Sequence, residues 1–562
     1  MGSPLGLALA ILVAIMTACS GPRAPASGPE GASGPSAPTV PKRVVAAIAG
    51  DPGTLSRTIN SASSGGVAGV SELEALIQSG LVSVIDRRII LGPRLAELAP
   101  SVDNGLWRLF PDGRMETTWR IRQGAAWHDG VPFTGDDLVF TAQVEQDRQI
   151  EALRNKAYDF VERVESPDPR TIRVTWKQAF IYADTMFGEF GVPLPKHVLE
   201  TPFNDDKAGF TQHAYFTKEF VGTGPFKLKD WAASSHLVLV ANEQYVLGRP
   251  KLDEVEVRFI SDPNAIIANI LSGVVELTIG RRLSLEQALQ VRDQWQDGTP
   301  IFAFSNWLAF YPQLQNPTPS TLLDVRFRRA LAHAVDRQEL ANTLQGGIVP
   351  VAHAIIPPSD PDYRVAEAQV ARFDYDQRRA IQLVEDVGYI KGPDGFYRDA
   401  SNQRLTIESR TTGDDDLREK LLYAVHDYWQ RLGIGTESVI IPRQRSQDRE
   451  YRATRPGFEL VRQPYDLTRF QSGEVPTAEN NYRGDNRARY ANPEFDALLD
   501  RFFVTIPLQE RSALLNQLIH HMTDQVVAMG IIFGTTPYLV SNRIVNVRAD
   551  IDTQNSFEWD LR

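Results

Sequence analysis

From Lys42 onward, strand and helix signals alternate along the chain without an internal repeat, a pattern that predicts an α/β protein with mixed sheets. Leu106 to Phe110 and Met115 to Ile121 read as two strands of a hairpin, because Pro111-Asp112-Gly113 between them is a turn sequence. Thr134 is placed to cap a helix whose third position is Asp137, with Leu138, Ala142 and Val144 on its apolar face. Asp262-Pro263 predicts a cap followed by proline at the first helical position, and Gly273 ends that helix. Asp324 starts another helix, and Asp336 with Glu339 makes the capping-box pattern of a further short one. Asp376 and Gly388 bracket a helix, and Asn492-Pro493 opens one running to about Phe503. Each of these caps is ordinary fold chemistry and carries no function by itself.

The amino-terminal pattern is different. Leu5 to Ile15 is an unbroken apolar run, too short to span a bilayer and of the right length for the hydrophobic stretch of a signal peptide. Met16-Thr17-Ala18-Cys19 follows and resembles the lipobox of bacterial lipoproteins, in which the cysteine becomes the lipidated first residue. The basic residues that usually precede such a run are missing here. Ser20 to Pro41 is almost wholly Gly, Pro, Ala and Ser, with too little apolar surface to fold. The expectation is a signal peptide at 1–18 and a lipid-anchored flexible tether at 19–41, with Cys19 as the lipidation site.

Composition narrows the function. With 562 residues, 42% of them hydrophobic, the chain is able to bury a large core built from more than one lobe. A formal net charge of -11 repels phosphate and argues against a nucleic-acid partner. Cys19 is the only cysteine, which excludes disulfides and thiolate metal sites from the mature domain. None of the nine histidines falls in His-Glu-x-x-His spacing, and the adjacent pair His520-His521 points about 100° apart on a helix, so no metal site is expected. Asp414, Asp415 and Asp416 lack the glycine and distal Glu of a calcium loop and read as a solvated turn. His128-Asp129 reads as part of a structural turn at Asp129-Gly130. Gly222 and Gly224 lack the third glycine of a dinucleotide loop. With no nucleophile elbow and no phosphate loop either, neither an enzyme nor a cofactor is expected.

Six blocks, in order, carry a resemblance. Trp119 to Gly124 with Trp127-His128-Asp129-Gly130-Val131-Pro132-Phe133-Thr134 is the first, and Val221-Gly222-Thr223-Gly224-Pro225-Phe226 with Trp231 the second. Asn242 to Tyr245 through Gly248-Arg249-Pro250 follows, then Asp324 to Leu331 through Asp336-Arg337, then Tyr375-Asp376 with Gly388-Tyr389, then Tyr490 to Asp496. Together they resemble the peptide/nickel (oligopeptide/dipeptide) family of extracytoplasmic solute-binding proteins of ABC importers. The resemblance implies an α/β, bilobed periplasmic-binding-protein-like fold, with two mixed-sheet lobes, a two-strand hinge and an extra smaller domain. It places the first lobe at 42–90, 220–305 and 525–562, the extra domain at 91–219 and the second lobe at 306–524.

It also implies a role: a lipoprotein, monomeric, at the periplasm or the outer face of the cytoplasmic membrane, that captures a peptide or other small solute for a permease and ATPase complex. A secreted hydrolase, or a binding protein adapted as a sensor, is the alternative. In peptide-binding members the strand and loop matching Phe458 to Asp466 carry an Arg, an aromatic residue and an Asp that pairs with the peptide's amino terminus. Here Arg462 and Tyr465 match the first two, Thr468 falls where the Asp belongs, and Asp466 lies two residues early. The expected ligand-binding residues are therefore Arg462, Tyr465 and Asp466.

Overall fold

Two strands are long enough to pass through more than one core. Gly298–Pro312 has 15 residues and Met529–Ser541 has 13, so the longer spans roughly 50 Å when extended. They pair antiparallel from Gly298 opposite Ser541 to Phe310 opposite Met529, and the register shifts between Phe304 and Asn306 and again between Leu308 and Ala309. The computed structural model describes residues 40–60, 67–85, 90–188, 191–280, 283–358, 360–413, 415–446, 448–548 and 553–562. The expected signal peptide, Cys19 and the tether up to residue 39 lie outside the described residues.

The two long strands sit in the middle of a mixed ten-stranded sheet. On one side Leu277–Thr278 pairs with the end of Met529–Ser541, and the sheet continues through Arg43–Ile48, Glu254–Phe259, His236–Ala241 and Phe226–Ala232. On the other side Phe458–Pro464 pairs with the end of Gly298–Pro312, followed by Thr406–Thr412 and Gly435–Ile441. Each half of the sheet has its own core. Val44, Ile48, Leu237, Val257, Leu277 and Val540 pack in the first lobe. Leu308, Phe310, Leu331, Trp429, Leu460 and Ile531 pack in the second. A single strand changes allegiance within a few residues, since Ile301 and Ala303 lie against the first core and Phe304 against the second.

The predicted hairpin is present as Trp107–Leu109 paired with Met115–Arg120, and it belongs to a four-stranded antiparallel sheet completed by Thr171–Trp176 and Val161–Asp168. This is the extra domain, with Trp119, Trp127, Ile172 and Trp176 in its core. The Gly135–Gln146 helix starts at the predicted cap, where Thr134 N donates to Asp137 Oδ2 at 2.9 Å. Leu138 and Ala142 of that helix face the small sheet, whereas Phe140 and Val144 face the first lobe. Being apolar on two sides, the helix welds the extra domain to the first lobe.

The other caps hold with one exception. Asp262 caps Pro263–Leu271, Asp324 caps Val325–His333, Asp376 caps Gln377–Asp386 and Asn492 caps Pro493–Val504. Asp336 accepts from Glu339 N at 2.9 Å, but the Glu339 carboxylate does not return to the cap and instead takes the Tyr428 hydroxyl. Half of the expected capping box is thus given up to a tertiary contact.

Where the extra domain meets the first lobe, two carboxylates are buried beside one guanidinium. Glu74 pairs with Arg57 Nε at 3.3 Å, and Arg57 also donates to Gly188 O at 2.9 Å. Glu145 Oε2 is buried without a hydrogen-bond partner. Burial pushes Glu145 up to about 8, with Arg57 lowering it and Glu74 raising it, and burial likewise pushes Glu74 to about 7. Each keeps its proton in the folded state at a pH where the unfolded chain has released it, so stability falls as pH rises from about 4.5 to about 8. We expect Glu145→Gln to remove about 2 kcal/mol of that loss, read as the difference in urea unfolding free energy between pH 5 and pH 8.5.

Candidate functional site

The waist between the lobes is where the register of the two long strands shifts. Arg462 stands on Phe458–Pro464 opposite Leu308, which in turn faces Ile532, and Gly534 is two positions farther along the same face. The guanidinium leans over Gly534, and a Cβ there would overlap it. A side chain at 534 would have to push the Arg462 guanidinium aside, so the lack of a Cβ there leaves that group its place.

Arg462 Nε donates to Asp415 Oδ2 at 2.9 Å, and Arg418 Nε lies 3.5 Å from the same oxygen. The three side chains are 11%, 8% and 10% exposed. Asp415 is the N-cap residue of the Asp416–Leu432 helix, so its carboxylate also meets the positive end of the helix dipole. The expectation of a solvated turn at Asp414–Asp416 is corrected here: Asp415 is buried between two arginines, Asp416 is exposed, and Asp414 lies outside the described residues. A local signal existed, in that Asp415 and Arg418 are three apart at a helix start, but the third partner is remote in sequence.

The expected Arg, aromatic and acid follow one another along the chain, and the fold sends each to a different partner. The Tyr465 hydroxyl donates to Asp362 Oδ2 at 3.2 Å, across to the Pro361–Ala366 helix. Burial and then the Asp362 charge hold the Tyr465 hydroxyl well above its ordinary range. Asp466 caps the short Leu467–Phe470 turn, accepting from Thr468 N at 2.9 Å and Thr468 Oγ1 at 2.6 Å, with Arg469 Nε 3.3 Å away. Thr468 thus holds the acid that stands in for it.

The remaining candidates have structural employment. Gly222 N donates to His128 Nδ1 at 3.1 Å and His128 Nε2 bonds Gly224 O at 3.1 Å, so the ring carries its proton on Nε2 and pins the first family-like block to the second. Burial pushes His128 down to about 4, which keeps it neutral. Asp129 closes its own turn by accepting from Val131 N at 3.1 Å, and it contacts His197 at 2.7 Å. His520 reaches Gln369 O at 3.1 Å while His521 reaches the Tyr490 hydroxyl at 2.6 Å, in separate directions. Among the described residues no cluster of ligating side chains fits a metal ion. A polar cavity beside Arg57, Glu74 and Arg94 measures about 30 Å³, room for a water and not for a solute.

Residues 98–465 match the family model described as bacterial extracellular solute-binding proteins, family 5 Middle. The oligopeptide-binding protein AppA of Bacillus subtilis (strain 168) is 23% identical over 501 residues, covering 87% of this chain and 86% of AppA. Two solved structures share the fold. The oligopeptide-binding protein of Thermus thermophilus, complexed with a pentapeptide, superposes with a TM-score of 0.71 at 23% identity, over 92% of this chain and 96% of that one. NikZ from Campylobacter jejuni, in complex with Ni(L-His), gives 0.73 at 20% identity, over 93% and 100%.

Removing the shared, buried carboxylate takes one counter-charge away from both Arg462 and Arg418. Asp415→Ala is expected to cost about 3 kcal/mol in urea unfolding, whereas Asp416→Ala on the exposed side of the same cap costs less than about 1 kcal/mol.

Proposed function

Because the chain belongs to the bacterial extracellular solute-binding proteins, family 5, we propose that it captures a peptide or other small solute between its two lobes and presents it to the permease and ATPase of an ABC importer. It is a binding protein and not an enzyme. The observation that carries the mechanism is the pair of strands, Gly298–Pro312 and Met529–Ser541, that the two sheet halves share. Rotation about that waist opens and closes the cleft, and a solute that contacts both lobes stabilises the closed state by its differential affinity for it. No bond of the solute changes. We take the lobes as 42–90, 220–305 and the C-terminal stretch for the first, 91–219 for the extra domain and 306–524 for the second. Val526, Met529, Ile531 and Ile532 pack in the second core, which favours carrying that lobe on to Ile532.

For the solute, the local chemistry favours one not anchored by a free amino terminus. A buried ammonium group loses hydration worth several kcal/mol unless a carboxylate compensates it. Thr468 has no charge to offer, and Asp466 is engaged by Thr468 and Arg469. Arg462 enters the cleft already paired with Asp415, so it contributes to an anionic solute through that pair, and Tyr465 supplies an aromatic wall. The chain is monomeric in this reading and is held to the outer face of the cytoplasmic membrane by lipid on Cys19. One acyl chain binds only marginally, so the anchor needs at least a second.

Two measurements test these points. Matched free and N-acetylated peptides are expected to shift thermal unfolding equally, with a ligand at about 100 times its dissociation constant adding roughly 2.7 kcal/mol. Stabilisation by free peptides alone, abolished in Asp466→Asn, restores the peptide-amine reading. Cys19→Ala is expected to release the protein from membranes or block its processing, and wild-type protein found free with an unmodified Cys19 removes the anchor.

A further inference from the structure

The last carbonyls of a helix have no partner inside it and must find one elsewhere. At the end of the Pro493–Val504 helix, in the second lobe, Phe503 O accepts from Ile181 N of the extra domain at 3.0 Å. Ile181 is 5% exposed in an apolar cluster whose other members, Tyr182 apart, come from residues 307–533, among them Phe495, Leu499 and Phe502. Tyr182 sets its ring 6.1 Å from Phe503 at 62°. That ring ends a run of aromatics anchored in the extra domain, with Phe160 and Phe180 stacked at 5.0 Å and Phe180 to Tyr182 at 5.7 Å. From the other side, Ile506 of the second lobe packs against the extra-domain core.

The extra domain rides on the first lobe through the Gly135–Gln146 helix, so this contact joins the two lobes at a second place besides the paired long strands. Opening about those strands would expose Ile181 and break its bond to Phe503. Among the described residues two ion pairs also join the lobes, Arg483 to Glu151 at 3.1 Å and Lys420 to Glu286 at 3.5 Å. Their side chains are 56–76% exposed, and pairs so exposed contribute little. The apolar part of the contact therefore dominates.

We propose that Ile181, Tyr182 and Phe503 form a latch that favours the closed arrangement without any contact to the solute. Its consequence is on affinity: apparent binding weakens by the fraction of molecules that are competent to bind, so a residue remote from the solute sets part of the dissociation constant. The three act as positioning residues, and the inference uses the bilobed fold but not the identity of the solute.

The test needs no solute. Hydrogen exchange with mass spectrometry is followed on the full chain after refolding from urea to strip carried ligand, with small-angle scattering on the same samples. In Phe503→Ala and Tyr182→Ala, exchange of the segment 180–185 is expected to speed up about tenfold or more, the radius of gyration to rise, and strands 115–120 and 171–176 to keep wild-type rates. Tyr182→Phe retains the ring and restores slow exchange, while Arg483→Ala changes it less than about twofold. Unchanged exchange at 180–185 with an unchanged radius of gyration overturns the latch. So does faster exchange that extends to 115–120 and 171–176, which means the extra domain has loosened. Failure here leaves the solute-binding reading untouched, since the latter stands or falls on ligand shifts.

Discussion

Everything in this protein hangs on the pairing of Gly298–Pro312 with Met529–Ser541. Backbone groups in a sheet need partners on both sides, and these two strands find them in different lobes: Leu277–Thr278 at one end and Phe458–Pro464 at the other. A continuous ladder is stiff along its length but has its weakest point at the register shift between Phe304 and Asn306, where one residue goes unpaired. The cores diverge at that same point. A fold with two dry interiors connected through a ladder whose register shifts twice within a few residues is mechanically prepared to bend there.

The charges near the waist follow from the same geometry. The Arg462 guanidinium lies over Gly534, where no Cβ crowds it, and Asp415 meets it because the Asp416–Leu432 helix starts beside the strand. A buried ion pair is weak evidence for stability, since desolvation offsets much of the attraction. Its value here lies in orientation: Asp415 fixes the direction of the Arg462 guanidinium. Elsewhere the second lobe uses the same device for structure alone. Glu459 is 1% exposed, and although burial alone would raise it, Arg452, Arg487 and Arg455 hold it down to about 2.

The extra domain is more than an ornament on the first lobe. His128 pins its turn to Gly222 and Gly224, and Gly224 lies so close to the Ile77–Gln78 backbone that a side chain has no room. These contacts tie the small sheet to the first core, while Ile181 N to Phe503 O ties it to the Pro493–Val504 helix.

Local chemistry was legible in the amino-acid order. The hairpin around Pro111-Asp112-Gly113 and the caps at Thr134, Asp262, Asp324, Asp376 and Asn492 all depend on residues a few positions apart. What the sequence left open was where each side chain spends its bonding capacity. Arg462, Tyr465 and Asp466 look like one site when read along the chain, yet they bond Asp415, Asp362 and Thr468. Glu339 matches a capping box but prefers Tyr428, and Asp415 looks solvated until two arginines close over it. The physical reason is common to all of these. Caps and turns are settled by bonds within four residues, whereas a charged or hydroxyl group buried in a core must take whatever partner the packing of remote segments brings within about 3 Å, and that partner is decided only when the lobes have assembled.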